Sequence, residues 1–284
     1  TDRLELDRIR AARRPWVTLR ADRHLRYSHK ADFARFFDLL SDLDALCGMA
    51  EVTRERGFCF PDIVAEDRFH LDGEGLFHPF LERPVGNPVR LAGEETLFFL
   101  TGPNMAGKTT YLKTVAVCAY LAHVGMSVPA RAFRISVLDA LFTSLSPEDD
   151  LRRGLSFFMA EVERVREVAE AAVEGARILA LFDEVFKGTN VKDALDASRR
   201  VILGFSRARA SGFIFASHLT ELAEDLQAQR GVRFGHFEGE VIDGRAVYDF
   251  RLTPGVSSQR LGLHLLAEAG VPDLLASLED GETR

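Results

Sequence analysis

The sequence predicts an α/β fold, with a mostly parallel central sheet flanked by helices and a short helical segment ahead of it. Three observations predict it. Thr96-Leu97-Phe98-Phe99-Leu100, Ile178-Leu179-Ala180-Leu181-Phe182 and Gly212-Phe213-Ile214-Phe215-Ala216 are continuous apolar runs, the pattern of strands buried on both faces. Helical stretches at about 156–175 and 193–209 separate the second and third runs from what precedes them, and such alternation implies parallel pairing with right-handed crossovers. A glycine-rich turn follows the first run directly, with a helix expected from about Gly107.

In chain order, residues 1–30 are charged, without a clear period, and broken by Pro15. Phe36, Leu39, Leu40, Leu43 and Leu46 recur at helical spacing and predict a helix over 32–50. Gly57 and Pro61 mark a loop, and the prolines and glycines of 67–90 suit short strands and turns. The helix after the glycine-rich turn places Leu112, Val115, Ala116 and Ala119 on one face. The helix at 156–175 does the same with Phe158, Val162, Val165, Ala169 and Ala172. Residues 231–252 read as two strands around Asp243-Gly244, a hairpin signal. Two short helices split by Gly270 and Pro272 close the chain. The division expected is a helical segment with a basic arm over 1–66 and an α/β domain over 67–284.

Composition narrows the function classes. With 46% hydrophobic and 28% charged residues, the 284-residue chain has the make-up of a soluble globular protein. No run approaches the ~20 apolar residues that span a bilayer, so no membrane partner is expected within the chain. Cys47, Cys59 and Cys118 form neither a disulfide framework nor a zinc spacing, which fits a reducing, cytoplasmic setting. The net charge of −7 argues against a surface that grips nucleic acid everywhere. The charge is uneven, however. Residues 1–30 hold nine Lys/Arg and four Asp/Glu, whereas the remainder holds 27 and 39. The arm reads either as a solvated helix or as a phosphate-contacting element. A first residue of Thr1 is compatible with a piece of a longer protein.

Gly102-Pro103-Asn104-Met105-Ala106-Gly107-Lys108-Thr109 matches G-x-x-x-x-G-K-[ST], between a buried strand and a helix. Glycines let the backbone wrap a phosphate with its N–H groups inward, and the helix N-terminus adds positive potential. Lys108 would reach the β- and γ-phosphates, and the Thr109 hydroxyl would ligate Mg²⁺. Asp183-Glu184 ends the second apolar run, at the sheet edge where α/β proteins bind ligands. Asp183 would help hold Mg²⁺ and Glu184 would polarise an attacking water. His218 follows the third run and faces the same crevice as a candidate γ-phosphate sensor.

Together these segments resemble the MutS-type mismatch-repair ATPases. Thr101-Gly-Pro-Asn-Met-Ala-Gly-Lys-Thr-Thr110 resembles the family's Walker A, with Thr110 as its last nucleotide-contacting residue. Ser156-Phe-Phe-Met-Ala-Glu161 is similar to its Ser-x-Phe-Met-x-Glu signature, Phe182-Asp-Glu-Val-Phe-Lys-Gly-Thr189 to its Walker B and following loop, and Ala216-Ser-His218 to its switch histidine. His78-Pro79, Asn87 and the stretch from Tyr248 to Pro272 follow the pattern as well, so the resemblance covers roughly residues 33–276. It implies a P-loop NTPase of ABC type that uses ATP and Mg²⁺, with residues 32–60 as a lever remnant. Two copies would pack head to tail, with Ser156 of one facing the γ-phosphate held by Lys108 of the other. Ser156 reads alternatively as a simple helix N-cap, and Glu161 receives no role.

The chain departs from the family in three places. Lys187-Gly188-Thr189-Asn190 replaces Arg-Gly-Thr-Ser, at a place expected at the dimer seam beside the nucleotides. The aromatic ring that family members set near adenine is replaced by Pro84, leaving Val85 for apolar contact. No mismatch-binding, connector or clamp domain fits into the residues ahead of the loop. Phe80-Leu81-Glu82 matches the mismatch wedge's Phe-x-Glu but follows His78-Pro79, in a segment leading into the sheet. The expectation is an ATP-hydrolysing module whose nucleotide-driven dimerisation is coupled to DNA in a fuller context. The alternative is a nucleotide-gated dimerisation module with little hydrolysis, acting in recombination control or another non-mismatch role.

Overall fold

A computed structural model describes residues 15–66, 68–145, 157–227, 229–242, 245–257 and 270–271. The chain divides into two compact units, Thr1–Glu55 and Arg56–Arg284.

In the first unit, α1 (Pro15–Arg23) leads through a π-helical stretch, His24–Ser28, into α2 (Lys30–Arg56). Pro15 opens a helix rather than breaking one, because the first helical position needs no N–H and Pro has the right φ. Arg20 and Arg23 lie in the last turn of α1, where the helix dipole favours cations. The helix expected at 32–50 is present and longer, and its Phe36, Leu39, Leu40, Leu43 and Leu46 are exposed. Residues 1–14 of the basic arm lie outside the described residues.

The second unit holds two sheets. The smaller contains β1 (Asp62–Val64), β2 (His70–Leu76), β3 (Asn87–Ala92) and β5 (Ala132–Ser136), in the order β1-β5-β2-β3. The larger contains β4 (Leu97–Thr101), β6 (Ala140–Ser144), β7 (Ile178–Asp183), β8 (Gly212–Ser217), β9 (Val232–Ile242) and β10 (Arg245–Pro254). Its order is β10-β9-β4-β8-β7-β6. Pairing is parallel from β9 through β6, and β10 joins β9 antiparallel. The Asp243-Gly244 turn and the two closing helices fall outside the described residues, apart from Gly270 and Val271.

Both faces of the large sheet are covered, which is why its central strands carry no polar alternation. Phe98, Leu100, Leu179, Leu181 and Ile214 point to one face. There they meet Leu112, Val115 and Ala119 of α3 (Lys108–His123) together with Leu71, Leu91 and Ile135 of the smaller sheet. Their neighbours Leu97, Phe99, Ile178, Ala180, Phe182, Phe213 and Phe215 point the other way. They pack on α4 (Phe157–Val173), α5 (Val191–Phe205) and α6 (Thr220–Leu226). A stack of rings fills this second layer: Phe182–Phe215 and Phe205–Phe213 each lie 4.5 Å apart, nearly parallel. The three strands that carry the candidate residues, β4, β8 and β7, are adjacent, so the loops leaving their carboxyl ends converge on one edge.

Candidate functional site

The Gly102–Gly107 loop joins β4 to α3. Gly102 has φ +145° and Gly107 φ +105°, and Met105 between them has φ +70°. At Gly102 a side chain is doubly excluded, since a Cβ would also lie 2.7 Å from the Phe237 carbonyl oxygen. Pro103, Asn104 and Ala106 complete the loop, with the Ala106 N–H donating to the Pro103 carbonyl at 3.4 Å. Lys108 opens α3 and is buried, and its Nζ donates to the Gly102 and Pro103 carbonyls at 2.8 and 3.1 Å. Burial pulls the Lys108 ammonium down to about 8, against the opposing pull of Asp183.

The Thr109 hydroxyl donates to Asp183 Oδ2 at 2.5 Å. Asp183 Oδ1 is buried and has no partner. Glu184 follows, at φ +52°, its N–H donating to the Ala216 carbonyl of β8 at 2.8 Å. That bond turns the chain inward, and the Glu184 side chain is buried beside two lysines and an imidazole. Lys108 Nζ lies 3.7 Å from Oε1, His218 Nδ1 lies 3.4 Å from the same oxygen, and Lys187 Nζ pairs with Oε2. Burial, then Lys108 and Lys187, lower the His218 pKa below the usual imidazole value. At neutral pH His218 therefore meets Glu184 as a neutral ring rather than as an ion-pair partner.

Two cavities adjoin here. One, of ≈ 280 Å³, is lined by Asn104, Lys108, Thr109, Asp183, Glu184 and Lys187. The other, of ≈ 290 Å³ and more apolar, is lined by Val85, His78, Asn87, Tyr111 and Phe250 among others. They share Met105, Gly107 and Thr110 as a common wall. The structure thus brings together every candidate except Ser156, which lies outside the described residues.

Two residues, Phe250 and Asn87, join the site that sequence reasoning did not place there, and Lys187, expected beside the nucleotides, has a partner it did not foresee. Lys187 reaches Glu184 across a loop with two left-handed residues, Glu184 and Phe186 (φ +68°). Phe250, at φ +56°, sits in a bulge of β10 beside Gly107. Asn87 holds that bulge: Nδ2 donates to the Phe250 carbonyl at 2.9 Å, and Oδ1 accepts from the Leu252 N–H at 2.8 Å. Asn190, expected at a seam, caps α5, accepting from the Asp193 N–H at 3.0 Å.

Among the described residues no cluster of three or more His, Cys, Asp or Glu could hold a metal ion, and no helix is long and apolar enough to cross a membrane. Cys47, Cys59 and Cys118 are free thiols.

Residues 98–280 match the family model described as MutS domain V. The chain is 33% identical over 249 residues to the DNA mismatch repair protein MutS of Natronomonas pharaonis, covering 85% of this chain and 28% of that protein. It is 31% identical over 277 residues to DNA mismatch repair protein MutS 2 of Haloarcula marismortui, covering 87% and 29%. With the MutS of Lactobacillus acidophilus the figures are 30% over 247 residues, 82% and 28%. The chain spans under a third of the length of these relatives. A match over most of the α/β unit places this chain in the MutS family, with residues 98–280 as its domain V.

Proposed function

We propose that this domain is a P-loop NTPase of ABC type that binds and hydrolyses ATP with Mg²⁺. The observation that carries the reading is the meeting of Lys108, the Thr109–Asp183 pair, Glu184 and His218 at three adjacent strand ends. Lys108 rests on its own loop's carbonyls, which a triphosphate would replace as its partners. The donor set fits a hard cation: one hydroxyl and one carboxylate with a buried, unpartnered oxygen. Mg²⁺ is commonly held by one or two such groups plus phosphates and water, and when bound it neutralises phosphate charge.

In this reading the loop N–H groups of 102–110 cradle the phosphates and Lys108 binds the β- and γ-oxygens. Glu184 accepts the proton of the attacking water, and His218, neutral, orients toward the γ-phosphate. Val85 and Phe250 line the base cavity, where the Phe250 ring supplies an apolar face that Pro84 does not. Ser156 of a second copy would complete the site in a head-to-tail dimer, a role that rests on the family resemblance alone. The relatives' names state DNA mismatch repair for those proteins; in this reading any coupling to DNA would need their longer context.

One observation favours a second reading, in which the domain is a nucleotide-gated dimerisation module with little hydrolysis. Both Glu184 oxygens face ammonium groups, which makes the carboxylate a poor base until Lys187 leaves. Phosphate release from Mg-ATP, measured against protein concentration, separates the two. The enzyme reading expects specific activity to rise steeply with concentration, and Glu184→Gln to retain binding while losing about 10²–10⁴-fold in turnover. Binding and dimerisation without phosphate release support the module. Unchanged turnover in Glu184→Gln contradicts the role of Glu184.

A further inference from the structure

Lys187 lines the phosphate cavity together with Lys108, Thr109 and Asp183, yet the proposed chemistry gives it no task. Its Nζ pairs with Glu184 Oε2, while Lys108 Nζ stands 3.7 Å from Oε1 of the same carboxylate. One carboxylate thus separates two ammonium groups, and the two are held differently. The Lys108 side chain is 5% exposed, and its ammonium rests on the Gly102 and Pro103 carbonyls. The Lys187 side chain is 51% exposed, and its ammonium is held by Glu184.

The backbone beneath Lys187 does not share that freedom. Phe186 is 3% exposed at φ +68°, a conformation that a bulky side chain keeps only where its surroundings impose it. Its ring meets the Phe158 ring of α4 at 5.9 Å. The loop is therefore anchored next to Lys187, and a change of partner is a swing of the flexible lysine stem on a fixed base. The stem already borders the space in which a terminal phosphate would sit.

Glu184 is 8% exposed, and a carboxylate so far from water calls for a cationic partner. In the empty site Lys187 serves. Against a terminal phosphate the balance changes, because that group carries more charge and more acceptor oxygens than a carboxylate. A diphosphate ends one group short and offers Lys187 no such alternative.

We propose that Lys187 is a specificity-determining residue that distinguishes a nucleoside triphosphate from a diphosphate: it caps Glu184 in the empty or diphosphate-bound site and crosses to the terminal phosphate of a triphosphate. The proposal rests on the ATPase reading of the site. The crossing uncovers Oε2 of Glu184 as a proton acceptor only when a terminal phosphate is in place.

The test is calorimetric binding of Mg-ATP and Mg-ADP to Glu184→Gln, alone and with Lys187→Met or Lys187→Arg added. Removing the carboxylate charge separates two roles. A lysine that only shields Glu184 has nothing to shield at Gln, so Lys187→Met would then leave both affinities unchanged. A lysine that reaches the terminal phosphate is missed: Lys187→Met should weaken ATP binding at least about tenfold and ADP binding less than about twofold, on the scale of one charge-assisted hydrogen bond. Lys187→Arg, which keeps the charge, should recover most of the ATP affinity. In the parent chain, nitrogen NMR of the lysine ammonium groups follows the crossing without turnover. The Lys187 signal, assigned by its loss in Lys187→Met, should stay in place with Mg-ADP and move with a non-hydrolysable Mg-ATP analogue. Equal loss of ATP and ADP affinity, or no loss of either, overturns the proposal and leaves the ATPase reading standing. So does a Lys187 signal that answers both nucleotides alike. Failure of the parent chain to bind either nucleotide overturns the ATPase reading and the proposal together.

Discussion

Replacing Asn87 with Leu tests how the cavity proposed for the base is built. Asn87 is 8% exposed and is hydrogen-bonded to the Phe250 carbonyl at 2.9 Å and the Leu252 N–H at 2.8 Å, 163 and 165 residues along the chain. Leucine fills a similar volume but makes neither bond. Two hydrogen bonds at about 1 kcal/mol each give a loss of about 2 kcal/mol. For a unit of this size that corresponds to a fall in melting temperature of about 4–8 °C. The lower end is expected if Phe250 relaxes out of its left-handed conformation, since that strain is itself worth about 1–3 kcal/mol. Asn87→Asp keeps the acceptor for Leu252 but sets a carboxylate oxygen against the Phe250 carbonyl, so it should also destabilise. Thermal unfolding followed by circular dichroism reads the first effect. Affinity for a fluorescent adenine nucleotide reads the second, because a shifted Phe250 opens the cavity. A melting temperature for Asn87→Leu within about 1 °C of the parent, the range of a neutral surface change, would refute this account of the bulge.

Two further outcomes follow from the same geometry. Gly102→Ala should lose stability by about 1–3 kcal/mol and lose nucleotide binding, because φ +145° and the Phe237 carbonyl 2.7 Å away both exclude a Cβ; parental melting and binding would contradict it. His218 should titrate below the reference value of about 6.5 by NMR, since burial and the two lysines disfavour its charge. Its folded state then binds fewer protons than the unfolded one, so the stability it contributes is lost as pH falls from the unfolded value through the folded one. Lys187→Met should move the midpoint back up, and a midpoint above the reference value in the parent protein would contradict the assignment.

Much of the site was legible because its signals are local. The spacing of Gly102, Gly107, Lys108 and Thr109 is fixed within eight residues, and Asp183-Glu184 and His218 directly follow apolar runs. Those runs were readable as central strands because both their faces are buried, Phe98 and Leu100 on one side, Leu97 and Phe99 on the other. The edge strand β6 and the small-sheet strand β5 were not, since Arg134 and the partly exposed residues of 140–143 give no such run. Lys187 on Glu184 requires left-handed backbone at Glu184 and Phe186, residue types that carry no sign of it. Asn87 and Phe250 meet only through tertiary structure. Asn190 carries a second signal that was present and not used: an Asn three residues before Asp193 is an N-cap pattern, and it caps α5.

The most direct measurement is a calorimetric titration of Mg-ATP into the parent protein and Lys108→Ala. The account predicts one equivalent bound per chain by the parent and at least about a hundredfold weaker binding by the variant, as expected for a desolvated charge-assisted contact. No binding by the parent, or equal binding by the two proteins, would contradict it.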